Sequence, residues 1–384
     1  MAGDGRLPFD VLGQVFTYYL EKETPLRPFE TLLLVCKAWR VAALGHPSLW
    51  GRYKIILGND TLTKLQIRYL RARLTRIGPK TPLHIDVRYT QKSRNELTCL
   101  SMKSHILPLL KILAGSDGVL CLRWKSLRLT VELHQSTLPG SHLSAHLFAP
   151  LTYPMPSLTW LHLSLRILGE MPLFPHLPSM RSMILRRCRL QKLPDMRYAT
   201  DIALDNVECL SNNTLDGVID APNAQYLCMT ANNHTLHPSR EYPALQTLYI
   251  CGIRRVFSWD DLHVPRLENL ILHSETIDLV QSLSYAPFLK RIRTLQLLRD
   301  GQVFSFETPH YIGPTLDLLR ACTGLRMFIV DIFGLLFLLE IWSVWGPFLE
   351  KECIFQVFFK RRRTAEMEFV PATKDVYLAL ARTY

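Results

Sequence analysis

No two of the nine cysteines form a C-x-x-C pair, and their number is odd. A closed disulfide framework and a paired-cysteine zinc site are therefore poor organising devices for this chain. Met1 to Asp10 is polar and contains glycine, without the apolar core of a secretory leader. Free, mostly buried thiols in a reducing compartment, cytoplasmic or nuclear, are the expectation. The N-x-T matches at Asn59, Asn212 and Asn233 then carry no glycosylation meaning.

Acidic residues are scarce beside basic ones, 33 against 45, which leaves a formal net charge of +12. Such a balance permits acidic proteins, nucleic acid or anionic membrane as partners without selecting among them. The cations are scattered. Arg68, Arg71, Arg73 and Arg76 share one helical segment, Arg186 and Arg187 adjoin, and Lys360 to Arg363 form the tightest run. They read as solvated surface, and no recognisable motif organises them, so nucleic acid is disfavoured. The Lys360–Arg363 run reads as a surface turn, with a nuclear-import signal or an anion patch as alternatives.

Catalytic constellations are also missing. There is no G-x-S-x-G, no H-E-x-x-H, no phosphate loop and no kinase motif set. His142 and His146, four apart, supply two ligands where zinc usually needs three or four. Asp260-Asp261 has no evident base or metal ligand beside it and reads as a helix N-terminus, where negative charge is favourable. No catalytic residue, cofactor or metal is expected.

A long apolar run occurs at Met327 to Phe348, and it contains Asp331 and Glu340. An acid at the centre of a membrane span costs about 2.5–3.5 kcal/mol, so two of them nearly cancel the aliphatic gain. A soluble reading fits better: Leu325 to Val330 as a strand, the remainder as a buried capping helix. A membrane is disfavoured as partner.

What the chain does have is apolar patterning. Its 384 residues predict roughly two or three domains, and hydrophobic residues at 48% of them are enough for a substantial core. Leu7, Val11, Leu12, Val15, Phe16 and Tyr19 lie on one stripe of a helix that Pro8 opens. Pro25 and Pro28 interrupt it. A second helix is expected from about Phe29 to Leu44, apolar on more than one face, with Gly45 and Pro47 ending it. Ser48-Leu49-Trp50 leads into a third short element. About fifty residues bury too little surface to be comfortable alone, so one face of this unit needs a partner.

The order "LPFDVLGQVF", "VCKAWRVAAL", "HPSLW" resembles an F-box over residues 7 to about 53. The resemblance implies docking to the Skp-type adaptor of a cullin–RING ubiquitin ligase. The positions that match the family are Leu7, Pro8, Leu12, Val15, Phe16, Val35, Cys36, Trp39, Leu49 and Trp50. In the family some of these touch the adaptor and others pack internally. One departure is the acidic residue after Leu-Pro, displaced here to Asp10 behind Phe9.

Beyond the N-terminal unit, Thr61 to Ile77 reads as a helix, Pro82 to Tyr89 as a strand, and Glu96 to Leu113 as a helix. Then an apolar-x-x-apolar-x-apolar motif recurs nine times. It starts at Trp124, Leu158, Met180, Ala199, Ala224, Leu245, Leu267, Ile292 and Leu325, at intervals of 34, 22, 19, 25, 21, 22, 25 and 33. Most intervals lie near the leucine-rich-repeat period of about 20–29 residues. Cys188 and Asn232 occupy the turn offset where a side chain can satisfy backbone groups. Leu168, Leu190, Cys209 and Ile277 fill the next apolar position. Met367 to Val370 and a helix from about Thr373 read as a terminal cap.

The expected fold is α/β: an all-α, three-helix F-box over 1–55, linker helices and a first strand over 56–115, an irregular leucine-rich-repeat solenoid over 116–345, and a cap over 346–384. The expected function is the substrate-recognition subunit of an SCF-type ubiquitin ligase, binding a target of unknown identity for degradation. The alternative is a repeat scaffold with no ubiquitin role, whose N-terminal helices merely cap the solenoid.

Overall fold

The computed structural model describes residues 8–22, 28–57, 64–90, 98–132, 147–165, 170–210, 218–230, 237–238, 241–251, 259, 262–273, 280–281, 283–298, 312–331, 354–360 and 367–371. The chain is mixed α/β, with extensive parallel sheet and a minority of helix. It divides into two compact units, Met1–Asp195 with Cys209–Asn212, and Met196–Glu208 with Asn213–Tyr384.

The first unit opens with helices α1 (Phe9–Lys22), α2 (Pro28–Val35), α3 (Lys37–Gly45) and α4 (Pro47–Trp50). The single helix expected over 29–44 is therefore two. Cys36 breaks it in extended conformation, and its sulfur accepts the Trp39 N–H that opens α3. Strand β1 (Arg52–Leu57) follows at once and has no counterpart in the sequence reading. Next come α5 (Lys64–Thr75), β2 (Leu83–Thr90), α6 (Thr98–Ala114), β3 (Trp124–Glu132), β4 (Trp160–Leu165), β5 (Glu170–Met171), β6 (Ser182–Arg186) and β7 (Arg189–Leu190). The pairs β1–β2, β2–β3, β3–β4 and β4–β6 are all parallel.

The second unit carries β8 (Asp201–Asp205), then β9 (Glu208–Cys209), which straddles the division, then β10 (Val218–Ile219), β11 (Tyr226–Met229), β12 (His237–Pro238), β13 (Thr247–Cys251), β14 (Asn269–His273) and β15 (Thr294–Leu298). Helix α7 (Ile312–Ala321) precedes β16 (Met327–Asp331), β17 (Ile354–Lys360) and β18 (Met367–Pro371). From β8 to β17 the main strands pair parallel in chain order, while β18 returns antiparallel to β17. All nine recurrences of the sequence motif are strands. Asn232, Leu168, Ile277 and the region past Thr373 lie outside the described residues. So does the expected capping helix after Asp331.

Alternation explains the layering. Leu227, Leu248, Leu270, Leu295 and Phe328 are register neighbours, and all are buried. Residues between them in each strand point to the other face. A tight turn precedes each main strand from β4 to β16. Its hydrogen bonds run from Leu158 N–H to Met155 O, Met180 to Leu177, Ala199 to Met196, Ala224 to Ala221, Leu245 to Tyr242, Leu267 to Val264, Ile292 to Leu289 and Leu325 to Cys322. Both ends of each turn are buried. Proline occupies the second turn position at Pro156, Pro178, Pro222, Pro243 and Pro265, where its fixed φ suits the turn.

At the strand starts one carbonyl accepts two amides from the next strand. Thr159 O takes Arg181 and Ser182 N–H, Thr200 O takes Gln225 and Tyr226, and Gln225 O takes Gln246 and Thr247. Gln246 O takes Glu268 and Asn269, Glu268 O takes Arg293 and Thr294, and Arg293 O takes Arg326 and Met327. Beyond the strands, corners at Arg187 (φ 53°) and Asn206 (φ 52°) are left-handed. Cys188 follows the first corner. Its thiol is buried, 3.2 Å from Arg186 O and 3.9 Å from Leu163 O, which suits the backbone-satisfying role read for it.

The surface reading of the α5 cations fails at Arg73. That side chain is buried, its Nη2 donating to Arg52 O at 2.7 Å and to Leu49 O at 3.4 Å. Its guanidinium also lies 4.9 Å from the Tyr53 ring centroid. A charged donor on two carbonyls outweighs the usual preference for solvent. We expect Arg73→Ala to lower unfolding stability by about 2–3 kcal/mol in urea titration, and the exposed Arg71→Ala by less than about 0.5.

Candidate functional site

The N-terminal helices hold the residues singled out from sequence, and the structure sorts them by face. Leu12, Phe16, Leu49 and Trp50 are buried. Phe16 packs its ring 4.9 Å from Trp39, centroid to centroid, which ties α1 to α3. Trp50 donates its indole N–H to Ala43 O at 3.2 Å and carries the Arg76 guanidinium over its ring. These four inward residues build the unit and offer nothing to a partner directly. Trp39 is half-buried, and Pro8, Val15, Val35 and Cys36 are exposed. Leu7 lies outside the described residues.

Close approach of α1 to the α3–α4 corner depends on Gly13, because a Cβ there would collide with the His46 ring. His46 Nε2 in turn lies 3.2 Å from Phe9 O. Outside this packing the helices leave much apolar surface uncovered. Val11, Val15 and Tyr18 recur at helical spacing on α1, Leu34 and Val35 end α2, and Val41 and Leu44 lie on α3. Leu34 is 74% exposed and Val35 57%. Among the described residues, nine of the sixteen exposed large apolar side chains fall between Phe9 and Leu44. Singly scattered apolar residues are ordinary on a surface, whereas such concentration marks interaction.

Two polar clusters lie elsewhere. In the first unit Asp86, Arg128 and His162 are register neighbours on β2, β3 and β4. His162 is buried, and its Nε2 has no hydrogen-bond partner among the described residues. Burial, then the charges of Arg128 and Arg186, push its pKa down to about 4. Arg88 pairs with Asp86 at 2.9 Å. In the second unit Cys251 Sγ and His273 Nδ1 are 3.0 Å apart on β13 and β14, with the Tyr249 ring stacked on the imidazole. That pair can share a proton. By contrast, burial pushes the Cys121 and Cys322 thiols up to about 12, which makes them inert.

Among the described residues no group of three or more His, Cys, Asp or Glu could hold a metal, and no single helix is long and apolar enough to cross a membrane. His142, His146, Asp260, Asp261 and, of the Lys360–Arg363 run, all but Lys360 lie outside the described residues; Lys360 closes β17. Sequence reading missed His162 and Arg73, because a polar residue inside a strand or helix signals burial only once its neighbours are known. No protein-family model matches the chain, and a search of curated proteins finds no match.

Two outcomes are expected. Phe16→Ala lowers stability by about 3–5 kcal/mol, while Val15→Asp changes it by less than about 0.5, both read from urea midpoints. His162 titrates lower in the folded than in the unfolded chain, so stability is whole above about pH 6.5 and falls as pH drops toward 4. Its share is about 3 kcal/mol, and the midpoint of His162→Gln is expected to fall less over that window.

Proposed function

We propose that the chain is the substrate receptor of an SCF-type cullin–RING ubiquitin ligase. The N-terminal helices act as an F-box on a Skp-type adaptor, and the repeats, a leucine-rich-repeat solenoid, hold a target protein. The observation that carries this reading is the crowding of exposed apolar side chains between Phe9 and Leu44. A unit that only capped the sheet would turn that surface inward. The order of motifs and the parallel pairing of every repeat strand agree with it. The chain itself then performs no bond chemistry. It supplies proximity, holding a target's lysines near a recruited conjugating enzyme.

A scaffold reading is favoured by one feature. Gly51 alone separates Trp50, the end of α4, from β1, and His84 N–H donates to Gly51 O at 2.8 Å. The inner face of the helices thus continues into the sheet of its own unit, as a cap would. The two readings differ over the outer face alone.

Co-expression with a Skp-type adaptor, followed by size-exclusion chromatography, separates them. A stoichiometric complex is expected. Leu34→Asp with Val35→Asp is expected to abolish co-elution while leaving the circular dichroism spectrum unchanged. A monodisperse chain that ignores the adaptor would favour the scaffold.

A further inference from the structure

The turns that precede β14, β15 and β16 depart in charge from the other turns of the second unit. Between the turn ends Val264 and Leu267 stands Arg266, and between Leu289 and Ile292 stand Lys290 and Arg291. The first residues after these turns are Glu268, Arg293 and Arg326. The equivalent positions before β8, β11 and β13 are Thr200, Gln225 and Gln246, and those three turns hold Arg197 as their single cation. Five cations and one acid thus meet over three consecutive turns. They line a groove of about 360 Å³ within the second unit.

Each of the five cations is exposed. Glu268 pairs with Arg293 at 3.3 Å. Among the described residues the other four cations form no ion pair. Gly324 closes the groove's third turn, where a Cβ would come within 2.8 Å of Lys290 O. Gathering like charges costs stability through mutual repulsion, and nothing in the packing of these turns demands it. A bound anion would offset that cost.

We infer that this groove binds an acidic peptide segment, its carboxylates held by the guanidinium forks of Arg266, Arg291, Arg293 and Arg326. The Glu268–Arg293 pair is an internal instance of the same recognition. Guanidinium forks match carboxylate geometry two bonds at a time. Single-stranded nucleic acid fits less well, because its binding sites interleave cations with stacking aromatics, and the groove lining contains none. The inference rests on the reading of the repeats as the surface that holds a target, and it specifies the chemistry of that target. Its failure is distinguishable from failure of the ligase reading, since adaptor co-elution does not involve the groove.

Fluorescence anisotropy with labelled hexaglutamate, hexalysine and a six-nucleotide oligothymidylate tests it on the full chain. Hexaglutamate is expected to bind in a salt-dependent way, more tightly than the other two probes. Arg266→Glu with Arg326→Glu is expected to weaken it by about tenfold or more. The matched control Arg68→Glu with Arg71→Glu makes the same change in net charge on the exposed side of α5, and is expected to weaken it less than about twofold. Equal losses in both variants, tighter binding of the oligothymidylate, or no binding of hexaglutamate at low salt would each overturn the inference.

Discussion

At six strand starts one carbonyl oxygen accepts two amide hydrogens from the following strand, and much of the architecture depends on it. The double acceptance occurs once in the first unit, at Thr159, and five times in the second, from Thr200 to Arg293. It uses both lone pairs of a group whose burial without partners would be costly. It also brings each new strand in at one register. A slip of one residue would turn Leu227, Leu248 and Leu270 away from the core and their polar neighbours into it. The turn just upstream, buried at both ends, holds the acceptor in place.

Legibility in the sequence followed periodicity. Apolar-x-x-apolar-x-apolar is a statement about a short strand with a buried residue before it, and all nine instances are strands. The turn was also written in the sequence: Pro156, Pro178, Pro222, Pro243 and Pro265 each sit two residues ahead of the motif's start. Reading proline as punctuation within the repeat, rather than as a breaker between elements, would have found it. Strand β1 was hidden because "RYKIIL" is short, loses its alternation at Ile56, and follows almost directly on a helix. The break at Cys36 was hidden too. "LLLVCKAWRVAAL" is continuous helix by propensity, and only the sulfur's capping of Trp39 N–H shows why it stops.

The N-terminal unit shows where sequence reading loses resolution. Leu12, Val15 and Phe16 share one apolar stripe on paper. In three dimensions the stripe is wider than the contact it makes, so Phe16 is enclosed while Val15 is left at the surface. Hydrophobic periodicity identifies a helix that buries something. It does not say how many partners do the burying. The apolar stripe was legible as a set of residues, and its division into inward and outward members was not.

Because register is set where each strand begins, chain length elsewhere in the repeat is free to vary. The intervals between motif starts run from 19 to 34 residues, yet within each unit the main strands are entered in line with their neighbours. Growth of a repeat is therefore absorbed after its strand and leaves the strand-start edge undisturbed. Insertions there would lengthen loops at small entropic cost, since loop closure grows only logarithmically with length. One edge is the constant ruler of the fold, and the opposite edge is where new sequence can be tried.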